Sequence, residues 1–140
     1  DWADRFVTML VAVIDPATNE CILVNAGHMP PMLRRANGEV IEVGEEEAGL
    51  PLGVTDDYQY EQFALTLLPG ESLTIFTDGF SEAMNAQSDL YGLERLRAQV
   101  ASRAVGVEDL GQHVLADVRQ FAGDYPQSDD MCLVCVGRSA

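Results

Sequence analysis

The apolar positions of this chain fall into short β-branched runs divided by turn residues, and a helical period appears only beyond residue 90. Arg5-Phe6-Val7-Thr8-Met9-Leu10-Val11-Ala12-Val13-Ile14 reads as a buried strand that stops at the turn Asp15-Pro16-Ala17-Thr18-Asn19. Glu20–Ala26 follows as its hairpin partner. The linker Gly27–Pro31 leads into a short strand over Met32–Arg35, and Asn37-Gly38 has the composition of a hairpin turn into Glu39–Val43. Residues 44–57 read as loop and Tyr58–Leu67 as a loosely alternating strand, after which Pro69-Gly70 launches another over Glu71–Thr77. Leu93, Leu96, Arg97 and Val100 share one helical face, while Leu110, Val114, Leu115, Val118 and Phe121 form a second stripe. The apolar run after Asp129-Asp130 must return to the sheet. Antiparallel strands, two helices and a returning strand make an α+β fold.

Two of these runs carry the chemistry, because their polarities are opposed. Glu71–Thr77 ends on Asp78-Gly79, whereas the last strand begins with Asp129-Asp130-Met131. If the two lie antiparallel, their acids meet at one edge, and such a cluster attracts a hard divalent cation. Gly79 would let the backbone pass close to whatever Asp78 holds. On local grammar alone Asp78 is equally a turn former, and Asp129-Asp130 equally a solvated pair guarding a strand. Glu82 lies one helical turn after Asp78, which can put both on one side; a structural role is favoured for it over orienting a water. His28, between Gly27 and two prolines, is a candidate general acid. The favoured reading is a ring that fastens the Asn25-to-Pro31 turn, with Asn25 structural beside it.

Composition narrows the classes. A chain of 140 residues is one domain. Its net charge of −15, from 23 acids against 8 bases, argues against nucleic acid and against an anionic membrane surface. No apolar run approaches the ~20 residues of a membrane helix, and Asp1-Trp2-Ala3-Asp4-Arg5 lacks the character of a signal peptide. The expectation is a cytoplasmic protein with three reduced, buried thiols. Cys132 and Cys135 sit at odd separation in a strand, so they face opposite sides and do not form a redox or zinc pair. Arg34, Arg35, Arg95, Arg97, Arg103 and Arg119 are scattered and read mostly as surface ion-pair partners. Glu45–Glu47 reads as a solvated loop.

Four blocks taken together resemble a known family. Asn25-Ala26-Gly27-His28-Met29-Pro30-Pro31, Gly49-Leu50-Pro51-Leu52-Gly53, Leu68-Pro69-Gly70-Glu71 leading to Thr77-Asp78-Gly79-Phe80-Ser81-Glu82-Ala83, and Asp129-Asp130-Met131 occur in that order. They look like the stage II sporulation protein E-type branch of the metal-dependent PPM serine/threonine phosphatases. The resemblance covers essentially the whole chain, but about the last two-thirds of the family's domain.

It implies an antiparallel β-sandwich flanked by helices, incomplete at its N-terminus, with residues 1–140 as a partial phosphatase domain. It also implies a binuclear Mn²⁺ or Mg²⁺ centre whose activated water attacks a phosphoserine or phosphothreonine directly. Asp78, Gly79 and Asp129 match the family's metal block, and Asp130 is expected to hydrogen-bond the loop. The upstream G-D-x-x-D and D-x-x-G-H-G type segments do not occur here. Without bridging acids the expectation is weak or absent metal binding, and little or no activity from this chain alone. By resemblance the substrate is a regulatory protein of the anti-anti-sigma type in a partner-switching pathway, under control of an upstream sensor or receiver domain. The competing expectation is a catalytically dead relative that binds a regulatory partner, and an open sheet edge would permit dimerisation or domain swapping.

Overall fold

A computed structural model describes residues 5–102 and 106–140. Asp1–Asp4 of the N-terminal reading, and Arg103, lie outside the described residues. The elements in chain order are β1 (Met9–Asp15), β2 (Glu20–Ala26), β3 (Met32–Arg34), β4 (Val40–Glu42), β5 (Phe63–Thr66), β6 (Ser72–Phe76), α1 (Leu93–Ala101), α2 (Val107–Ala122) and β7 (Leu133–Gly137). All the strand pairs are antiparallel, in one sheet of order β1-β2-β5 and a second of order β4-β3-β6-β7. The α+β reading and both helical stripes therefore hold.

Three layers result, because the second sheet is apolar on both faces. Leu33 and Leu73 join Cys21, Leu23, Val43 and Leu67 in the core between the sheets, with Ile75 and Val136 packed beside them. Their neighbours Met32 and Phe76 point the other way, onto Leu96, Val100, Leu110, Val114 and Val118 of the two helices. Period-2 alternation thus serves two cores at once. Each fully buried aliphatic side chain of this kind contributes about 1.5–3 kcal/mol.

Outside the first sheet the described residues give no such cover. β1 was expected as a buried strand, yet Val7, Met9, Val11 and Val13 are exposed, Val11 by 44% and Val13 by 61%. Among the described residues β1 is an edge strand paired only with β2, and none of them packs on the outward face that Val11, Val13 and Ile22 share. Apolar sequence predicts a strand's type correctly here and its burial wrongly, since burial depends on a neighbouring layer.

The arginines and cysteines bring further corrections. Arg34 is only 6% exposed and makes no ion pair among the described residues, whereas Arg35, its side chain 38% exposed, pairs at 3.0 Å with Glu71, which is 3% exposed. Arg97 bonds Glu42 at 2.7 Å across α1 and β4. Arg95 lies 4.6 Å over the Phe121 ring. Of the three free thiols, Cys21 is buried and Cys135 half-buried, but Cys132 is exposed just before β7 begins.

Candidate metal centre

β6 and β7 are direct neighbours, with Phe76 opposite Leu133. β6 leaves the sheet at the same edge where β7 enters it. Thr77 ties the two chain segments together there. Its N–H donates to the Cys132 carbonyl at 3.0 Å, its hydroxyl donates to the Asp130 carbonyl at 3.0 Å, and the Cys132 N–H donates back to that hydroxyl at 2.9 Å. Asp78 and Asp129, far apart in sequence, follow from that clasp as spatial neighbours.

After Asp78 the chain makes a single helical turn. The Glu82 N–H donates to the Asp78 carbonyl at 2.8 Å, and the Ser81 hydroxyl donates to the same oxygen at 3.1 Å. That turn swings the Glu82 side chain alongside Asp78. Carboxylate oxygens of Asp78, Glu82 and Asp129 all lie within 4.8 Å of one another, and all three residues are exposed. Three hard oxygen donors with open solvent beside them suit a cation that keeps several of its waters. Left without one, the three charges repel at close range.

Gly79 is the joint of this arrangement. A Cβ placed on it would stand 2.4 Å from the Asp130 carbonyl oxygen and 2.9 Å from its carbon. The glycine is therefore required by the opposing backbone, where sequence reasoning invoked the ion. Asp130 enters through its main chain: its N–H donates to Asp129 Oδ1 at 2.7 Å, which fixes the Asp129 carboxylate. The Gln127 amide donates to the Asp129 carbonyl at 2.7 Å from the other side.

Asn25 and His28 stand elsewhere. The Asn25 side chain donates to the His28 carbonyl at 2.9 Å and accepts from the His28 N–H at 2.8 Å. The His28 ring donates from Nδ1 to the Met29 carbonyl at 2.9 Å. Both therefore fasten the loop, and the general-acid candidacy of His28 finds no acidic or nucleophilic partner in it. Gly27, at φ +70°, packs so tightly on Pro51 that a Cβ would come within 2.6 Å, and the Gly49 N–H donates to the Asn25 carbonyl at 2.9 Å. The Asn25–Pro31 and Gly49–Gly53 blocks thus pack on each other. Glu82, for which sequence reasoning favours a structural role, thus stands beside both aspartates, and Thr77, given no role there, ties the two segments together. The i, i+4 spacing was the available signal for the first, and a hydroxyl next to a strand-terminal acid for the second.

A two-sheet sandwich with helices on one face and carboxylates where β6 meets β7 defines the class: the fold is that of PP2C phosphatase domains. The SiaA-PP2C domain of Pseudomonas aeruginosa superposes with a TM-score of 0.75 at 18% identity, over 91% of this chain and 50% of that one. The phosphatase domain of the cell-fate determinant SpoIIE from Bacillus subtilis, presoaked with Mn, gives 0.69 at 17% identity, over 94% and 56%. Residues 2–139 match the stage II sporulation protein E (SpoIIE) family, and the chain belongs to that family. Phosphoserine phosphatase RsbU of Bacillus subtilis is 31% identical over 80 residues, which are 57% of this chain and 24% of RsbU. The chain therefore has the sequence of a phosphatase family and spans about half the length of these two solved domains and 21–31% of the curated relatives it matches.

Proposed function

We propose that this chain is the C-terminal part of a metal-dependent phosphatase domain, in which Asp78, Asp129 and Glu82 hold a Mn²⁺ or Mg²⁺ ion and the main chain of Gly79 passes beside it. The observation that carries the reading is the meeting of three carboxylates within 4.8 Å at the junction of β6 and β7. A bound cation of this type supplies Lewis acidity, which activates water and offsets charge on a phosphoryl group. The chain's own share is positional. Thr77 clamps the two loops, Asp130 and Gln127 orient Asp129, and the turn through Ser81 presents Glu82.

Two acidic loops give one wall of a two-ion site and leave the bridging ligands to be supplied from residues upstream of this chain. The uncovered outer face of β1 and β2 supports the same division, since apolar sheet faces of soluble domains are ordinarily packed against another layer. We place the bridging acids and that covering layer in the remainder of the domain, so the isolated chain binds the ion weakly and turns over little substrate. The substrate proposed is a phosphoserine or phosphothreonine on a regulatory protein of the anti-anti-sigma type, in the cytoplasm, with an upstream sensor or receiver segment in control. The likeness to RsbU, a phosphoserine phosphatase, supports the phosphoserine assignment.

Calorimetric titration with Mn²⁺ tests this directly. The 140-residue chain should take up at most one ion weakly, an upstream-extended form two, and Asp78→Asn or Asp129→Asn should abolish uptake in the short chain and remove at least one site in the long one. Equal, tight binding by both forms would overturn the division of ligands. An extended form that binds two ions yet releases no phosphate from a phosphoserine peptide would favour a partner-binding module instead.

A further inference from the structure

The end of β6 remote from Asp78 carries a second group of charged and polar residues that the phosphatase reading does not use. A cavity of about 500 Å³ opens there, lined by Arg34, Glu71, Ser72, Gly106, Val107 and Arg138 among others. The six-residue step from Ser72 to Asp78 puts it about 20 Å from the carboxylate cluster.

Arg34 is the anomaly in this wall. It lies on β3 opposite Ser72 and is almost entirely buried. Among the described residues its side chain makes one hydrogen bond, from Nη1 to the Arg35 carbonyl at 3.3 Å. Nε is buried with no partner, and the side chain makes no ion pair among the described residues. Glu71, the carboxylate in the same wall, is already committed: Oε1 accepts from Arg35 and Oε2 from the Leu68 N–H, each at 3.0 Å. A buried guanidinium with no counter-anion is strongly unfavourable. It is stranger still in a chain with a surplus of fifteen negative charges.

Three other parts of the wall offer donors. α2, sixteen residues long, begins after Gly106, which makes no side-chain cap, so its first-turn N–H groups have no capping side chain among the described residues. Gly106 and Val107 of that end line the cavity, while Glu108 and Asp109 of the same turn are exposed. The Ser72 hydroxyl makes no hydrogen bond among the described residues. Arg138 spends only Nη1, on the Leu67 carbonyl at 3.1 Å.

We propose that this cavity is an oxyanion site, separate from the metal centre, that takes inorganic phosphate or a phosphoryl group. Donors arriving from β3, β6, the residue after β7 and a helix N-terminus suit the several oxygens of a tetrahedral anion better than the two of a planar carboxylate.

The test is calorimetry and thermal unfolding of the purified chain in EDTA, with inorganic phosphate, phosphoserine and acetate as probes. Phosphate should bind saturably and raise Tm by about 5 °C or more at a hundredfold excess over Kd. Arg34→Met should weaken phosphate at least about tenfold, with a smaller loss for Arg138→Gln and none for Asp78→Asn. In phosphate-free buffer Arg34→Met should unfold no earlier than the native chain, because it removes an unpaired buried charge. Phosphoserine binding tighter than phosphate would identify a phosphorylated ligand, and equal binding the free anion. No saturable phosphate binding by the native chain would overturn the proposal, as would acetate binding as well as phosphate or affinity unchanged in Arg34→Met. Should that variant fail to fold, unchanged affinity in both Ser72→Ala and Arg138→Gln would overturn it equally.

Discussion

At the scale of single residues, the site depends as much on what is absent at position 79 as on the acids around it. Gly79→Ala keeps every carboxylate but drives a methyl into the Asp130 carbonyl, which is backbone and cannot swing aside. We expect a loss of about 2 kcal/mol in unfolding free energy from this overpacking. Weaker Mn²⁺ uptake by calorimetry should accompany it, since Asp129 moves with the loop. A variant with native stability and native uptake would show that the two loops are not seated on each other. Asp78 and Asp129 could be picked from the sequence because strand polarity announces them. Glu82 could not be ranked, since an exposed acid in a turn looks the same whether or not it faces two others. Arg34 was misjudged for a related reason: charge reads as surface until the fold closes over it.

Between elements, α1 and α2 are joined by a polar contact inside an apolar layer. Tyr91, just before α1, is buried and donates to Asp117 of α2 at 2.6 Å, with its ring edge-on to Phe121. Burial first, then the hydrogen bond and charge of Asp117, raise the Tyr91 phenol well above its ordinary value of 10.0. The folded state therefore holds this proton more tightly than the unfolded chain. Its contribution is complete below about pH 10 and declines as pH rises beyond that towards the folded value. Urea unfolding of the native chain and Tyr91→Phe should show an advantage for tyrosine at about pH 8 that shrinks by about pH 11. An advantage constant over that range would mean the phenol titrates equally in both states. The helices themselves were legible because a 3.6-residue stripe has one explanation at that length. The division of seven strands between two sheets was not, because alternation marks a buried face without naming the layer that buries it.

For the molecule as a whole, the uncovered face of the first sheet is the largest departure from what the sequence suggested. Val11, Val13 and Ile22 present an apolar strip beside the free edge of β1. In solution the isolated chain should self-associate through it at micromolar concentrations. Val11→Lys combined with Val13→Lys should give a monomer by light scattering while leaving Mn²⁺ uptake at β6 and β7 unchanged. A native chain that stays monomeric at about 100 μM would remove this expectation. The clasp at Thr77 has a different consequence, which concerns time. It joins residues some fifty positions apart, and both helices lie in the intervening segment. Contacts of such long range form slowly, and in synthesis from the N-terminus β7 follows the six other described strands. During synthesis the carboxylates at 78 and 82 must wait, hydrated and apart from their third member, until both helices and the loop through Asp129 have emerged. The cluster of three carboxylates is thus assembled only after both helices have been made.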